Sequence, residues 1–120
     1  MPLSHQQLKN NHETLGLLSA FLVLEPSTYG KDFGHIVEQM LAQITLKQYV
    51  VQVTEKGEVV GYALWAKLDN WTETIYHSGL RPLHMLEYNS GTKIVVTNIG
   101  TSQGGSIDLL KTWLEENLNA

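Results

Sequence analysis

The stretch that decides the fold is Gln48–Asn70, which reads QYVVQVTEKGEVVGYALWAKLDN. Its first part, Tyr49–Thr54, is rich in valine, as β-strands are. The following residues 55–58 supply a turn, because Gly57 can adopt the positive φ that tight hairpins require. Val59–Leu68 is apolar on both of its faces. We therefore expect a β-hairpin whose second strand lies in the middle of a sheet and is covered on both sides.

A first helix is predicted near the N-terminus. Residues 4–7 carry a capping-box pattern, which places the start of this helix near His5. The proline of residues 25–26 ends it, because the residue before a proline avoids helical angles. Residues 15–24, LGLLSAFLVL, are apolar almost all round. Such a helix suits a core that buries it on several sides, and it suits a contact with a partner chain equally well.

A second helix is predicted over Lys31–Lys47. Its apolar residues follow the i, i+3, i+4, i+7 spacing of one buried stripe. The stripe consists of Phe33, Ile36, Val37, Met40, Leu41 and Ile44. His35, Glu38, Gln39 and Gln43 lie off this stripe.

The part that follows the hairpin is less regular. Residues 72–77 suit either a short helix or a strand-like connection. Lys93–Ile99 predicts a third strand, Gly100–Gly105 is a glycine-rich loop, and Ser106 caps a final helix. The sequence thus predicts one domain over residues 1–120, with helices packed on a sheet.

Composition excludes several classes of protein. The 120 residues include no cysteine, which excludes disulfides and thiolate chemistry. A net charge of −4 without a basic run disfavours nucleic acid as a partner. The N-terminus is polar, and the apolar run at 15–24 is too short to span a bilayer. We predict a cytoplasmic protein without a membrane span.

The glycine-rich loop has two interpretations. A strand that leads through glycines into a capped helix can bind a phosphate, because free N–H groups point out of the helix start. On this interpretation Gly100, Gln103, Gly104 and Gly105 contact the ligand. The alternative is that the glycines serve only the turn. We favour the second interpretation, because glycine clusters mostly mark turns.

Histidines and aromatic residues give weaker signals. No two of the five histidines have the spacing of zinc ligands, so no metal site is predicted. His77 or His84 could serve as a general base only if the fold brought it into a cleft. Trp65 suits a ligand platform, but large rings in small domains more often lie in the core.

Several short motifs, in order, resemble the lysine acyltransferases that activate RTX toxins. The residues that carry the resemblance are Leu15-Gly16, Ser19, Pro26, Gln48-Tyr49, Val60–Tyr62, Trp65–Leu68 and Tyr88–Gly91. The resemblance implies an acetyltransferase-like (GNAT-like) α+β fold, with a bent and mostly antiparallel sheet flanked by helices. It also implies acyl carrier protein or acyl-CoA as acyl donor, no tightly bound cofactor, a protein lysine as acceptor, and a homodimer.

Two positions depart from that family's pattern. Thr28 stands where the family has its histidine, and Asn98 stands where the family has its aspartate. Three hypotheses follow: a catalytically impaired relative that binds acyl carrier protein or an acyl group, an active acyltransferase with a rearranged site that includes His35, and a small regulatory module that shares only the fold. In the first two, we expect the ligand where the strands Val59–Leu68 and Lys93–Ile99 diverge, near Thr28, Asn98, Trp65 and the glycine-rich loop.

Overall fold

The fold was determined from a computed structural model that describes residues 2–23 and 33–119. These described residues form four helices, four strands and a short 3₁₀ turn. In chain order they are β1 (Leu3–Gln6), α1 (Asn11–Val23), α2 (Phe33–Thr45), β2 (Tyr49–Thr54), β3 (Val59–Leu68), α3 (Asn70–Ser78), the 3₁₀ turn (Met85–Tyr88), β4 (Lys93–Thr101) and α4 (Ile107–Leu118).

The sheet is antiparallel throughout, and its strands follow the order β1-β2-β3-β4. The β2–β3 hairpin has the bounds that the sequence predicts, and Gly57 turns it with a φ of 85°. Strand β3 lies between β2 and β4. The predicted acetyltransferase-like α+β fold is therefore confirmed.

Helices cover both faces of the sheet. Successive strand residues point to opposite faces, so Val50 and Val51 belong to different layers of the core. On the first face, Val51 packs with Leu18 of α1 and Met40 of α2. On the second face, Val50 packs with Leu110 of α4. We call these the α2 face and the α4 face.

The N-terminus differs from the prediction. Residues 3–6 form an edge strand on β2 instead of the first turn of a helix, so the helix start expected near His5 is wrong. The helix begins at Asn11, where the Asn10 Oδ1 accepts hydrogen bonds from the backbone N–H groups of His12 and Glu13 at 2.9 and 3.1 Å. Pairing with β2 satisfies backbone groups along the whole segment, which outweighs a local capping pattern.

The buried side of α2 also differs from the predicted stripe. Met40, Gln43 and Ile44 are all at most 1% exposed, whereas Leu41 is 43% exposed. The predicted burial of Leu41 is therefore wrong, and Gln43, which lies off the predicted stripe, is buried. The helix turns by about 100° per residue, so Leu41 points away once Met40 and Ile44 face the sheet.

A Schellman motif ends α2 and leads directly into the hairpin. The Gln48 N–H donates to the Gln43 carbonyl at 2.8 Å, and the Lys47 N–H donates to the Ile44 carbonyl at 3.1 Å. Lys47 adopts a left-handed backbone conformation with a φ of 60°, as this motif requires. The connection between α2 and β2 is thereby fixed, which sets the position of the helix over the sheet.

The structure defines residues 72–77 and the end of the third predicted strand. Residues 72–77 belong to helix α3. Asp69 caps the N-terminus of this helix, because its side chain accepts a hydrogen bond from the Thr72 N–H at 2.7 Å. Strand β4 continues two residues past the predicted end at Ile99, so Gly100 lies within the strand. The described helices include none long and apolar enough to cross a membrane.

Candidate functional site

The site is set by a β-bulge in β4. Leu64 of β3 pairs with Asn98, but the next residue, Trp65, pairs with Val96. Thr97 is thus the extra residue. A bulge redirects side chains locally, and such bulges are common beside functional sites. Here it brings both Thr97 and Asn98 within hydrogen-bonding distance of α2.

Two glutamines of α2, one turn apart, contact the bulge. Gln39 donates from Nε2 to the Asn98 Oδ1 at 3.1 Å. Gln43, which is completely buried, donates from Nε2 to the Thr97 Oγ1 at 2.7 Å and to the Trp65 carbonyl at 3.0 Å. The Gln39 amide also lies 3.5 Å from the Gln43 Oε1. We call these four side chains (Gln39, Gln43, Thr97 and Asn98) the α2–β4 polar cluster.

All four members of this cluster are uncharged. Gln43 uses both N–H groups of its amide and its carbonyl oxygen, so its hydrogen bonds are complete. Asn98 accepts through Oδ1, and within the described residues its Nδ2 has no acceptor. The cluster can position a neighbouring group by hydrogen bonding. It cannot take up a proton near neutral pH.

Comparison with known proteins identifies the family. The model of HlyC, the RTX toxin acyltransferase family, matches residues 7–116. The chain belongs to this family. A search of curated proteins gave no significant match. The match covers most of the 120 residues, so the resemblance stated from the short motifs is confirmed.

The structure describes only part of the pair that the family pattern predicts. Asn98 lies on the α2 face, half-buried and bonded to Gln39. Thr28 lies outside the described residues, so its distance from Asn98 stays untested. His35 belongs to α2, one turn before Gln39, and its side chain lies outside the described part of the chain. The roles of these three residues in an RTX acyltransferase site remain predictions.

Trp65 lies on the other side of the sheet. It pairs with Val96 and packs with Val50 and Leu110 on the α4 face, where it is 3% exposed. Its ring centroid is 6.0 Å from that of Trp113. Trp65 and Asn98 are therefore on opposite faces. Strands β3 and β4 stay paired from Gly61–Thr101 to Leu68–Lys93, so the predicted divergence is wrong and only the bulge interrupts their register.

The glycine-rich loop packs against β3. A Cβ on Gly105 would overlap the Val60 carbonyl oxygen and come within 2.8 Å of the Thr101 Cβ, and Gly104 has a φ of 93°. Gln103 is exposed and Gly100 is buried in β4. The packing gives Gly105 a structural reason to be glycine. Whether Gly100, Gln103, Gly104 and Gly105 also contact a ligand stays a prediction.

A buried glutamine holds the start of α4 next to this loop. Gln52 is completely buried, accepts from the Ser106 N–H at 2.8 Å and donates to the Ser106 carbonyl at 3.0 Å. Ser106 caps α4 as predicted, because its Oγ accepts from the Leu109 N–H at 3.3 Å. A Cβ on Gly61 would lie 3.0 Å from the Gln52 Oε1, so Gln52 also packs closely over that glycine.

The sequence prediction missed Gln39 and Gln43 as members of the site. The available signal was their i, i+4 spacing on a helix with an apolar neighbouring stripe, since such pairs share one face. Within residues 2–23 and 33–119, no three His, Asp or Glu side chains lie together as metal ligands would.

Proposed function

We propose that the protein keeps the acyl-transfer scaffold of its family and acts as a catalytically impaired binding or accessory protein. Its ligand would be acyl carrier protein or the acyl group that such a carrier or acyl-CoA delivers. One observation carries this proposal. Asn98, at the position that the resemblance assigns to the family's aspartate, accepts a hydrogen bond from the neutral amide of Gln39, and among the described side chains it contacts no titratable group.

The chemistry of that position supports impairment. An aspartate beside a histidine orients the imidazole and stabilises its protonated form, whereas an asparagine can only orient it. Thr28 replaces the histidine itself, and a hydroxyl does not act as a base near pH 7. Loss of a general base alone lowers rates by about 10²–10⁴. Both changes affect the same pair, so we expect little residual transfer.

The test uses the full chain, acyl carrier protein loaded with a labelled fatty acid, and a lysine-bearing protein substrate. We expect the chain to bind the loaded carrier in a calorimetric titration and to transfer no label above background. The double variant Thr28→His/Asn98→Asp should gain transfer. Asn89→Asp, the same change at an exposed position outside the cluster, is the matched control and should gain none.

Two results would oppose the proposal. Transfer by the unmodified chain that is lost on Asn98→Ala would establish an active enzyme. Failure to bind either the loaded carrier or acyl-CoA would favour the third hypothesis, a regulatory module that shares only the fold.

An active acyltransferase with a rearranged site is the second candidate. It is favoured by the position of His35 in α2, one turn before the glutamine that contacts Asn98. Orientation of the substrates and hydrogen bonds to the developing oxyanion could then supply much of the rate. This candidate predicts transfer by the unmodified chain that His35→Asn abolishes.

The proposal includes a homodimer. Leu17 of α1 and Leu41 of α2 are 42% and 43% exposed, and these two helices pack on each other. Exposed apolar side chains on adjacent helices suit a contact between copies. Light scattering of the unmodified chain and of Leu17→Ser/Leu41→Ser tests it: the variant should be monomeric, and an unmodified chain that is monomeric would exclude the dimer.

A further inference from the structure

A cavity lies on the α4 face of the sheet. It has a volume of about 490 Å³, within the range of small-molecule pockets. Strand residues Val50 and Trp65 line it from the sheet, and Trp113 lines it from α4. The α2–β4 polar cluster lies on the α2 face, so this cavity is separate from the proposed acyl-transfer site.

Aromatic rings form one wall of the cavity. The Trp113 ring stacks on His5 with a centroid distance of 6.3 Å and an interplanar angle of 29°, and it lies 6.0 Å from Trp65. Trp113 is only half-buried, so part of its indole remains open to the cavity. Such a wall favours a flat ring as ligand, because offset aromatic stacking adds to the burial of apolar area.

The charge of the cavity is positive although the chain is acidic overall. Lys47 and Lys67 both line it, and the described lining residues include no carboxylate. The chain as a whole has a net charge of −4. Lys67 is exposed and has no ion-pair partner among the described residues, whereas the Lys47 ammonium donates to the Asn11 Oδ1 at 3.2 Å. Because α1 packs on the other face, the Lys47 ammonium is directed away, and Lys67 is the cation that favours an anionic ligand.

We propose that the cavity binds a small aromatic carboxylic acid. The ring lies against Trp113, and the carboxylate faces Lys67. A single ligand thereby supplies both the stacking partner and the anion.

The binding test uses the full ¹⁵N-labelled chain and indole-3-acetate as the probe. The three tryptophans give separate indole N–H signals. Trp65 and Trp113 line the cavity, whereas Trp71 is 72% exposed on α3 and serves as an internal control. We expect saturable shifts of the first two signals and none of the third. No saturation below about 10 mM, or shifts of Trp71 alone, would overturn the proposal.

One analogue tests the assigned charge without changing the protein. The neutral indole-3-acetamide should bind about fivefold more weakly, because it lacks the charge that faces Lys67. Equal affinity of the amide and the acid would overturn the proposed ligand class.

A pair of lysine variants completes the test. Lys67→Gln should remove the preference for the acid over the amide, while Lys56→Gln in the exposed hairpin turn should keep it. Both substitutions are at exposed positions, so both proteins should fold. A preference that survives in Lys67→Gln would overturn the proposal.

Discussion

Replacement of Gly105 by alanine tests the packing of the loop before α4. The added Cβ would overlap the Val60 carbonyl oxygen and lie 2.8 Å from the Thr101 Cβ. The first of these neighbours is backbone within a paired strand, so it cannot move aside cheaply. Overpacking of this kind costs about 1–3 kcal/mol. Alanine also lowers the conformational entropy of the unfolded chain, which offsets about 0.4–1 kcal/mol of that cost.

Because one contact is with backbone, the upper part of the overpacking range, about 2–3 kcal/mol, applies, and the net loss for Gly105→Ala is about 1–2.6 kcal/mol in the free energy of unfolding. At roughly 4 °C per kcal/mol for a domain of this size, the Tm should fall by about 4–10 °C. The matched control is Gly16→Ala in α1, where an added Cβ has no described atom within 4 Å. That variant should gain about 0.5–1 kcal/mol from helix propensity.

Urea unfolding followed by circular dichroism measures both variants. The midpoint should move down for Gly105→Ala and up for Gly16→Ala, with the slope m unchanged in each. A Gly105→Ala protein as stable as the unmodified chain would refute the steric account of this loop. A loss of stability in both variants would instead indicate that the space around Gly16 is occupied.

Three further predictions concern single side chains. Ser106→Ala should lower the free energy of unfolding by about 1 kcal/mol through loss of the α4 cap, as measured by urea unfolding. Hydrogen bonds from the Arg81 guanidinium lower the pKa of Glu87 to about 2, so its contribution to stability is present above about pH 4.5 and is lost as the pH falls towards 2. Glu87→Gln should thus be less stable than the unmodified chain at pH 7, and the two thermal unfolding curves should converge near pH 2. Burial lowers the pKa of His5, whose Nε2 lies 3.0 Å from the Gln52 Nε2 and accepts a hydrogen bond from it. The free energy of unfolding should therefore fall as the pH drops below about 6.5, and it should fall less in His5→Gln.

The hairpin was predictable because its signals are local. Valine-rich segments, a glycine with positive φ and two apolar faces all lie within twenty residues, and the bounds of β2 and β3 followed from them. The cap at Ser106 was predictable for the same reason, since the Oγ bonds a backbone N–H three residues later. Local chemistry of this kind does not depend on the rest of the fold.

Features that depend on distant parts of the chain were not predictable. Strand β1 was missed because its pairing partner lies about fifty residues away, at Leu3–Thr54. The burial of Gln43 was missed because periodicity counts apolar residues, whereas Gln43 is buried by its bonds to Trp65 and Thr97. The bulge at Thr97 left no mark in the sequence, and it shifts the register of β4 between the Leu64–Asn98 and Trp65–Val96 pairs.

The remote pairing of β1 has a consequence for local opening of the molecule. This four-residue strand closes a long loop that contains both α1 and α2, so its pairing carries a larger entropic cost than the β2–β3 hairpin does. Amide protons at residues 3–6 should therefore exchange with deuterium faster than those of β3. Each such opening separates His5 from Trp113 and removes one wall of the α4-face cavity, so a ligand held there would slow exchange in a strand that forms only part of its binding site.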